Sequence, residues 1–296
     1  MNKWIRIAPD TYYCPGITNI GYCHGLVIDT GMDSTRAAQI ARDLKKMGLP
    51  IRWLLNTHTH PDHCGGNMGL IEEGAILLAT EEQTPYLKDL KLSTDLSYGA
   101  EFEYTQNRQY GFPQARPSVP AQIISPGPLL LDDVQFTIER HIGHAADQIT
   151  VLTPDNVLFT ADIMLCERML SHSRFELLYS ATAQMTDLKW LQSTACTAYV
   201  PGHGEIMTDV QALVQANLDL QYQYIDEVLH FCTSPRTREE IAAHLIVKFS
   251  LSDTCHFCAT VYASVGAYLM YLVHHNEIFY YCEKGLTLYR KKTPDI

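Results

Sequence analysis

The six residues HTHPDH, at positions 58–63, follow directly on the apolar stretch IRWLLNT at 51–57. Three imidazoles and a carboxylate in so short a run repel each other when charged and compete for water when buried. Packing alone does not ask for such a cluster. A metal ion removes the conflict, because it takes neutral imidazoles and a carboxylate as ligands at about 2 Å. The apolar stretch reads as a buried strand, so the cluster sits just past a strand's carboxyl end, where α/β proteins place their sites. His58, His60, Asp62 and His63 are therefore candidate ligands, and the rest of the chain must supply the others.

The surroundings fit a layered α/β fold. HGLVIDTGM (24–32) reads as a strand ending in a turn, and STRAAQIARDLKKMG (34–48) as an amphipathic helix, with Ser34 as its cap and Gly48 as its stop. IRWLLNT and GAILLAT (74–80) are two further strands. Residues 81–122 are polar and aromatic, an expected helical insertion and loop that covers the site. Strand patterns return at 134–141, 148–154, 156–162 and 198–204. From about 208 the pattern becomes helical. TREEIAAHLI (237–246) opens with capping-box spacing between Thr237 and Glu240, a further helix spans 260–278, and IFYYCEKGLTLYRKK reads as a hairpin. Helix, helix, helix, hairpin is a winged-helix order, and the chain is expected to divide into domains 1–215 and 216–296.

Three more ionisable residues fall at turn positions after apolar strands: His144 in IGHAADQ, Asp162 at the end of LFTAD and His203 in VPGHG. With the first four they make seven candidate ligands, too many for one tetrahedral ion and suited to two ions sharing a carboxylate.

This compound pattern, HTHPDH followed by GH, TAD and PGHG after an early IDTG, resembles the metallo-β-lactamase-fold superfamily over roughly residues 5–210. The resemblance implies a four-layer αββα sandwich, here with a small winged-helix-like tail. It also implies a ligand division. His58, His60 and His144 would hold a first divalent metal; Asp62, His63 and His203 would hold a second; Asp162 would bridge. Zinc is the expected metal, with iron and manganese as alternatives. Asp29 of IDTG would steady the ligand loops by hydrogen bonds. The implied chemistry is hydrolysis by a metal-bound hydroxide, with Asp62 orienting it as the catalytic carboxylate.

Several positions separate branches of that superfamily. Its diiron flavoproteins carry Glu where His60 stands, and its Cys-containing β-lactamases carry Cys where Asp162 stands. Its quorum-signal lactonases place a Tyr shortly after the bridging Asp, whereas this chain has ADIMLCERM. What remains resembles glyoxalase II-like hydrolases of small thioesters, esters or lactones. Alternatives of the same fold are a one-iron persulfide dioxygenase and a nuclease. A DNA-binding regulator built on the tail is a third class.

Charge weighs against the last two. The net charge is −11, unlike a nucleic-acid-coating surface or one suited to anionic membranes. Residues 230–296 carry seven Lys/Arg against six Asp/Glu, and TVYASVGAYLMYLVHHN, where a recognition helix would lie, has no Lys or Arg. The tail is therefore expected to pack on the catalytic domain, to wall the substrate pocket or to form a homodimer. No apolar run approaching the roughly 20 residues of a membrane span is read from the sequence. Nine scattered cysteines and no N-terminal signal pattern suggest reduced thiols and a cytoplasmic protein.

Overall fold

The structure is a computed structural model describing residues 4–92, 116–172 and 174–293. The chain forms two compact units. The first comprises Met1–His141, Asp147–Cys166 and Thr194–Val210; the second comprises Ile142–Ala146, Glu167–Ser193 and Gln211–Ile296. Each unit is thus assembled from segments separated in sequence.

The first unit holds two sheets. One runs in the order β1 (Ile5–Arg6), β2 (Thr11–Cys14), β3 (Ile20–Cys23), β4 (Leu26–Ile28), β5 (Trp53–Leu55), β6 (Ile76–Ala79) and β7 (Gln122–Ile123). It is antiparallel as far as β4 and parallel from β4 to β7. The other comprises β8 (Gly127–Leu131), β9 (Val134–Arg140), β10 (Ile149–Leu152), β11 (Val157–Ala161) and β12 (Ala198–Pro201). It is antiparallel except where β12 joins β11 in parallel.

Side chains alternate across a strand, and β4 shows how the sequence uses this. Leu26 and Ile28 share one cluster with Leu55 and Leu78 and with Phe136, Ile138, Val151 and Phe159 of the second sheet. Val27 faces the other way, with Leu54 and Leu77, onto Ala37, Ile40 and Leu44 of helix α1 (Ser34–Lys46). The first sheet is therefore buried on both faces, which is why its central strands read as continuous apolar runs. Helix α1 starts one residue from expectation. Asp33, not Ser34, is its cap, since the Asp33 carboxylate accepts from Arg36 N at 2.8 Å. Two short helices, α2 (Pro61–Cys64) and α3 (Asn67–Ile71), follow β5, and α4 (Thr84–Lys88) follows β6. The rest of the expected insertion, residues 93–115, lies outside the described residues.

The second unit is mostly helical, with α5 (Glu167–Ser171), α6 (Ala181–Ser193), α7 (Gln211–Phe231), α8 (Arg238–Lys248) and α9 (Cys255–His274). The hairpin of β13 (Ile278–Glu283) and β14 (Leu286–Lys291) closes it. The expected order of three helices and a hairpin is present from α7 onward. Thr237 caps α8 in a full capping box with Glu240. Helix α9 begins at Cys255, before the expected 260, because Thr254 caps it by accepting from Phe257 N. Lys284 and Gly285 both take positive φ in the hairpin turn, as a tight two-residue turn requires. One expectation needs amending: Phe257–His274 is long and apolar enough by composition to cross a membrane. Core helices pass the same test, and Val261, Val265, Tyr268, Leu269 and Leu272 of this one are buried.

Gly21 in β3 makes room between the sheets, since a Cβ there would lie 2.3 Å from the Phe159 ring. Gly21→Ala should therefore lower the unfolding free energy by about 1–3 kcal/mol through overpacking. Urea denaturation checks this, and an unchanged midpoint would show that Phe159 has room to yield.

Candidate metal centre

The centre of the first unit's site is organised by the ends of four strands. Asp29 follows β4 with a φ of 62°, and its N–H donates to Leu55 O at 3.0 Å, extending the β4–β5 ladder by one step. Its carboxylate then turns toward the chain leaving β5. Oδ1 accepts from Thr57 N at 2.7 Å, and Oδ2 accepts from Thr57 Oγ1 at 2.9 Å and from His63 Nδ1 at 2.8 Å. The single helical turn of α2 presents Asp62 and His63 together. It is pinned through the His63 carbonyl, which accepts from Thr30 N at 2.8 Å and Asn56 Nδ2 at 3.1 Å.

On the second sheet a register irregularity between Phe159 and Ala161 re-aims the end of β11, and Ala161 takes a φ of 52°. Asp162 follows, its N–H held by Gln148 Oε1 at 3.2 Å. The turn after β12 carries His203, and Gly202 N donates to Ala161 O at 2.8 Å. A Cβ at Gly202 would lie 2.0 Å from Asp162 Oδ1 and 2.8 Å from His63 Cε1. Only glycine lets this turn approach so closely.

The result is a compact constellation. His58 Nε2 lies 2.9 Å from His60 Nδ1. Asp162 Oδ2 lies 3.9 Å from His58 Nε2, 3.5 Å from His63 Nε2 and 3.3 Å from His203 Nε2. Asp62 Oδ2 lies 3.5 Å from His63 Nε2 and 3.3 Å from His203 Nε2. Within the first unit two groups have spacing fit for an ion: His58, His63 and Asp162, and Asp62, His63 and His203. The first unit thus gathers six of the seven sequence candidates. The seventh, His144, belongs to the second unit, where its Nδ1 donates to Leu177 O at 2.9 Å.

The Metallo-beta-lactamase superfamily family model matches residues 24–193, more than half of the chain. This chain belongs to the metallo-β-lactamase superfamily. No curated protein matches it. Among solved structures, a beta-lactamase domain protein from Burkholderia ambifaria is similar at 16% identity, covering 98% of this chain and 94% of that one, with a TM-score of 0.75. A metallo-beta-lactamase family protein from Thermus thermophilus is similar at 18% identity, with 95% and 93% coverage and a TM-score of 0.67. A metallo-beta-lactamase from Pontibacter korlensis, at 16% identity and a TM-score of 0.56, spans 75% of this chain and 99% of its own. At these identities the likeness is one of fold. It extends over nearly the whole chain for the first two and over three quarters of it for the third.

The side chains fit the divalent cations of the superfamily fold. His63 Nδ1 donates to Asp29, His203 Nδ1 donates to Ile17 O at 2.6 Å, and His144 Nδ1 donates to Leu177 O. In each ring an oxygen takes the Nδ1 proton, so Nε2 is the nitrogen able to bind a cation. His63 Nε2 is buried without a hydrogen-bond partner among the described residues. With protons alone to balance the carboxylates, the site is strained electrostatically. Asp162 drives the His203 imidazole up to about 12 against burial. Burial disfavours the His63 imidazolium, but Asp62, Asp162 and Asp29 overcome it and hold its value well above the ordinary one. Burial would likewise raise Asp62 and Asp162, yet the imidazolium charges of His63 and His203 hold both carboxyls below their usual range. His60 moves the other way, lowered by burial. A divalent cation supplies the positive charge that these carboxylates otherwise draw from protons.

Sequence reasoning did not find several supporting residues. Thr18 Oγ1 donates to Asp62 Oδ2 at 3.0 Å, and Asn19 Nδ2 donates to Pro201 O at 2.9 Å and Gly204 O at 2.7 Å. Asp147, whose carboxyl is raised by burial, accepts from Thr59 N at 3.0 Å. Single threonines and asparagines carry no pattern that marks them. The Asp-Gln pair after His144 lay beside a recognised motif and was the one readable signal.

Asp29→Asn should weaken metal binding by about 10–100-fold, because an amide keeps one acceptor oxygen and cannot accept from Thr57 N on one side and from Thr57 Oγ1 and His63 Nδ1 on the other. Competition with a chelator, with thermal melting of the metal-free protein as a control for folding, checks this. Unaltered affinity would remove Asp29 from the support of the site.

Proposed function

We propose that this protein is a binuclear metal-dependent hydrolase of a small thioester, ester or lactone, of the glyoxalase II-like kind. His58, His60 and His144 would hold one divalent ion, Asp62, His63 and His203 a second, and Asp162 would serve both; zinc is the first choice of metal. The observation that carries this reading is Asp162 Oδ2, which stands within 4 Å of imidazole nitrogens from His58, His63 and His203 at once. A carboxylate oxygen placed among so many imidazoles suits a ligand shared by two cations better than a ligand of one.

When bound, such ions polarise an acyl oxygen and lower the pKa of a water towards neutrality. The protein's own residues then divide the remaining work. Asp62 is the more open carboxylate, with 26% side-chain exposure against 13% for Asp162. It is placed to accept a hydrogen bond from the attacking water and so to aim it. In the net reaction the water oxygen joins the acyl carbon, the bond to sulfur or oxygen breaks, and the leaving group takes a proton. Asp29, Thr57, Asn56 and Thr30 hold the ligand loop still while this happens.

The His60 and Asp162 identities favour this branch over the flavoprotein and Cys-type lactamase branches. The unit ending in the hairpin is read as winged-helix-like, serving substrate selection or self-association rather than nucleic acid, because α9 offers no Lys or Arg. The free thiols, among them buried Cys14, Cys23 and Cys64, suit a reducing cytoplasm.

Elemental analysis of protein purified without chelator should give about two zinc, manganese or iron ions per chain, and a panel of thioesters, esters and lactones should show hydrolysis. Asp162→Ala should lose both ions and lower hydrolysis by more than the roughly 100-fold typical of losing a supporting partner. A variant that kept full activity would sink the two-metal mechanism. One iron per chain with oxygen consumption would transfer the assignment to persulfide oxidation.

A further inference from the structure

The loop between β2 and β3 has no ionisable residue and no motif in the sequence, yet it grips the Asp62–His203 side of the centre at several points. Thr18 Oγ1 donates to Asp62 Oδ2 at 3.0 Å. The Ile17 carbonyl accepts from His203 Nδ1 at 2.6 Å. Asn19 N donates to Gly202 O at 2.8 Å, and the Asn19 side-chain amide spans Pro201 O and Gly204 O on either side of the histidine. Thr18 and Asn19 are buried, while the Ile17 side chain is 75% exposed, so the loop turns its polar atoms inward and its one bulky apolar group outward.

We propose that Thr18 is a positioning residue dedicated to the second metal, acting through Asp62; this rests on the two-metal reading above. Asp62 sits on a single helical turn and is partly open to solvent. Its Oδ2 faces the His63 and His203 rings on one side and the Thr18 hydroxyl on the other. A carboxylate oxygen has two lone-pair directions. The Thr18 proton occupies one of them on Oδ2 and leaves the other for the space shared with His63 Nε2 and His203 Nε2, at 3.5 and 3.3 Å. The Ile17 carbonyl sets the matching ring nitrogen on His203 in the same stroke. Two of the three second-metal ligands are thereby fixed by adjacent residues of one loop. His58 is steadied by a different route, through Thr57 and the Asp29 carboxylate. Loss of the Thr18 hydroxyl therefore separates the two ions energetically.

The test is a zinc titration of the whole chain, with a chromophoric chelator as competitor, on the wild type, T18V and T18S. Wild type should bind two zinc ions. T18V, which keeps the shape and loses the hydroxyl, should weaken the second ion by about 10–100-fold and leave the first within about twofold. T18S, which restores the hydroxyl, should bring the second ion back to near the wild-type value. Equal binding of both ions by T18V, equal weakening of both, or failure of T18S to rescue would each overturn the proposal. Should T18V not fold, T18A carries the same expectation. A wild type that takes up one zinc ion would instead overturn the two-metal reading, and the role of Thr18 with it.

Discussion

The buried carboxylate of Asp29 is the interaction on which the site depends. It ties the end of one strand, through Thr57, to the imidazole of His63 three hydrogen bonds at a time. A buried carboxylate costs several kcal/mol of lost hydration unless its lone pairs are met. Here both oxygens are met, two of the three donors coming from the chain as it leaves β5. The β4–β5 ladder fixes the distance between Asp29 and that chain, so sheet register becomes ligand geometry. A one-residue slip would turn Asp29 to the opposite face. The apolar burial of Val27, Leu54 and Leu77 on one side and of Leu26, Ile28 and Leu55 on the other forbids such a slip.

The same logic holds at the second sheet by different means. Asp162 and His203 come from neighbouring parallel strands, and the backbone between them must approach more closely than side chains allow. Gly202 removes the obstructing Cβ, and the irregularity at Ala161 points the carboxylate inward. Asp29 and Ala161, two of the non-glycine residues at positive φ, lie beside the candidate ligands.

The sequence made the candidate ligands readable because they recur at strand ends with unusual side chains. HTHPDH is dense enough to need a chemical explanation, and TAD and PGHG stand where strand patterns stop. The strands themselves were readable from apolar runs, and α8 from its capping box. Thr18 was not readable. Its partner Asp62 is 44 residues away, and a threonine before a strand looks like any other. Nor did the pattern show that the segments 142–146 and 167–193 group with the C-terminal helices, since compactness is a property of tertiary packing rather than of periodicity. Ser34 lost the capping position to Asp33 for a local reason: both residue types cap well, and backbone geometry at Asp33 decided between them.

The electrostatics give the strongest ground for expecting a cation here. Two carboxylates and several imidazoles share a space in which oxygens and nitrogens stand 3.3–3.9 Å apart. Protons satisfy that arrangement only by holding His63 and His203 charged while burial opposes it. Neutral imidazoles would relieve the burial but leave Asp62 and Asp162 facing each other with no counter-charge. One set of positions satisfies both demands: neutral rings with Nε2 turned inward, fixed by oxygens at Nδ1, around a charge of +2 or more that the protein does not itself possess. The Nδ1 partners of His63 and His203 are already in place, as is the hydroxyl on Asp62. A site prearranged to this degree loses little order when the cation arrives, and the rigid sandwich beneath it supplies that prearrangement.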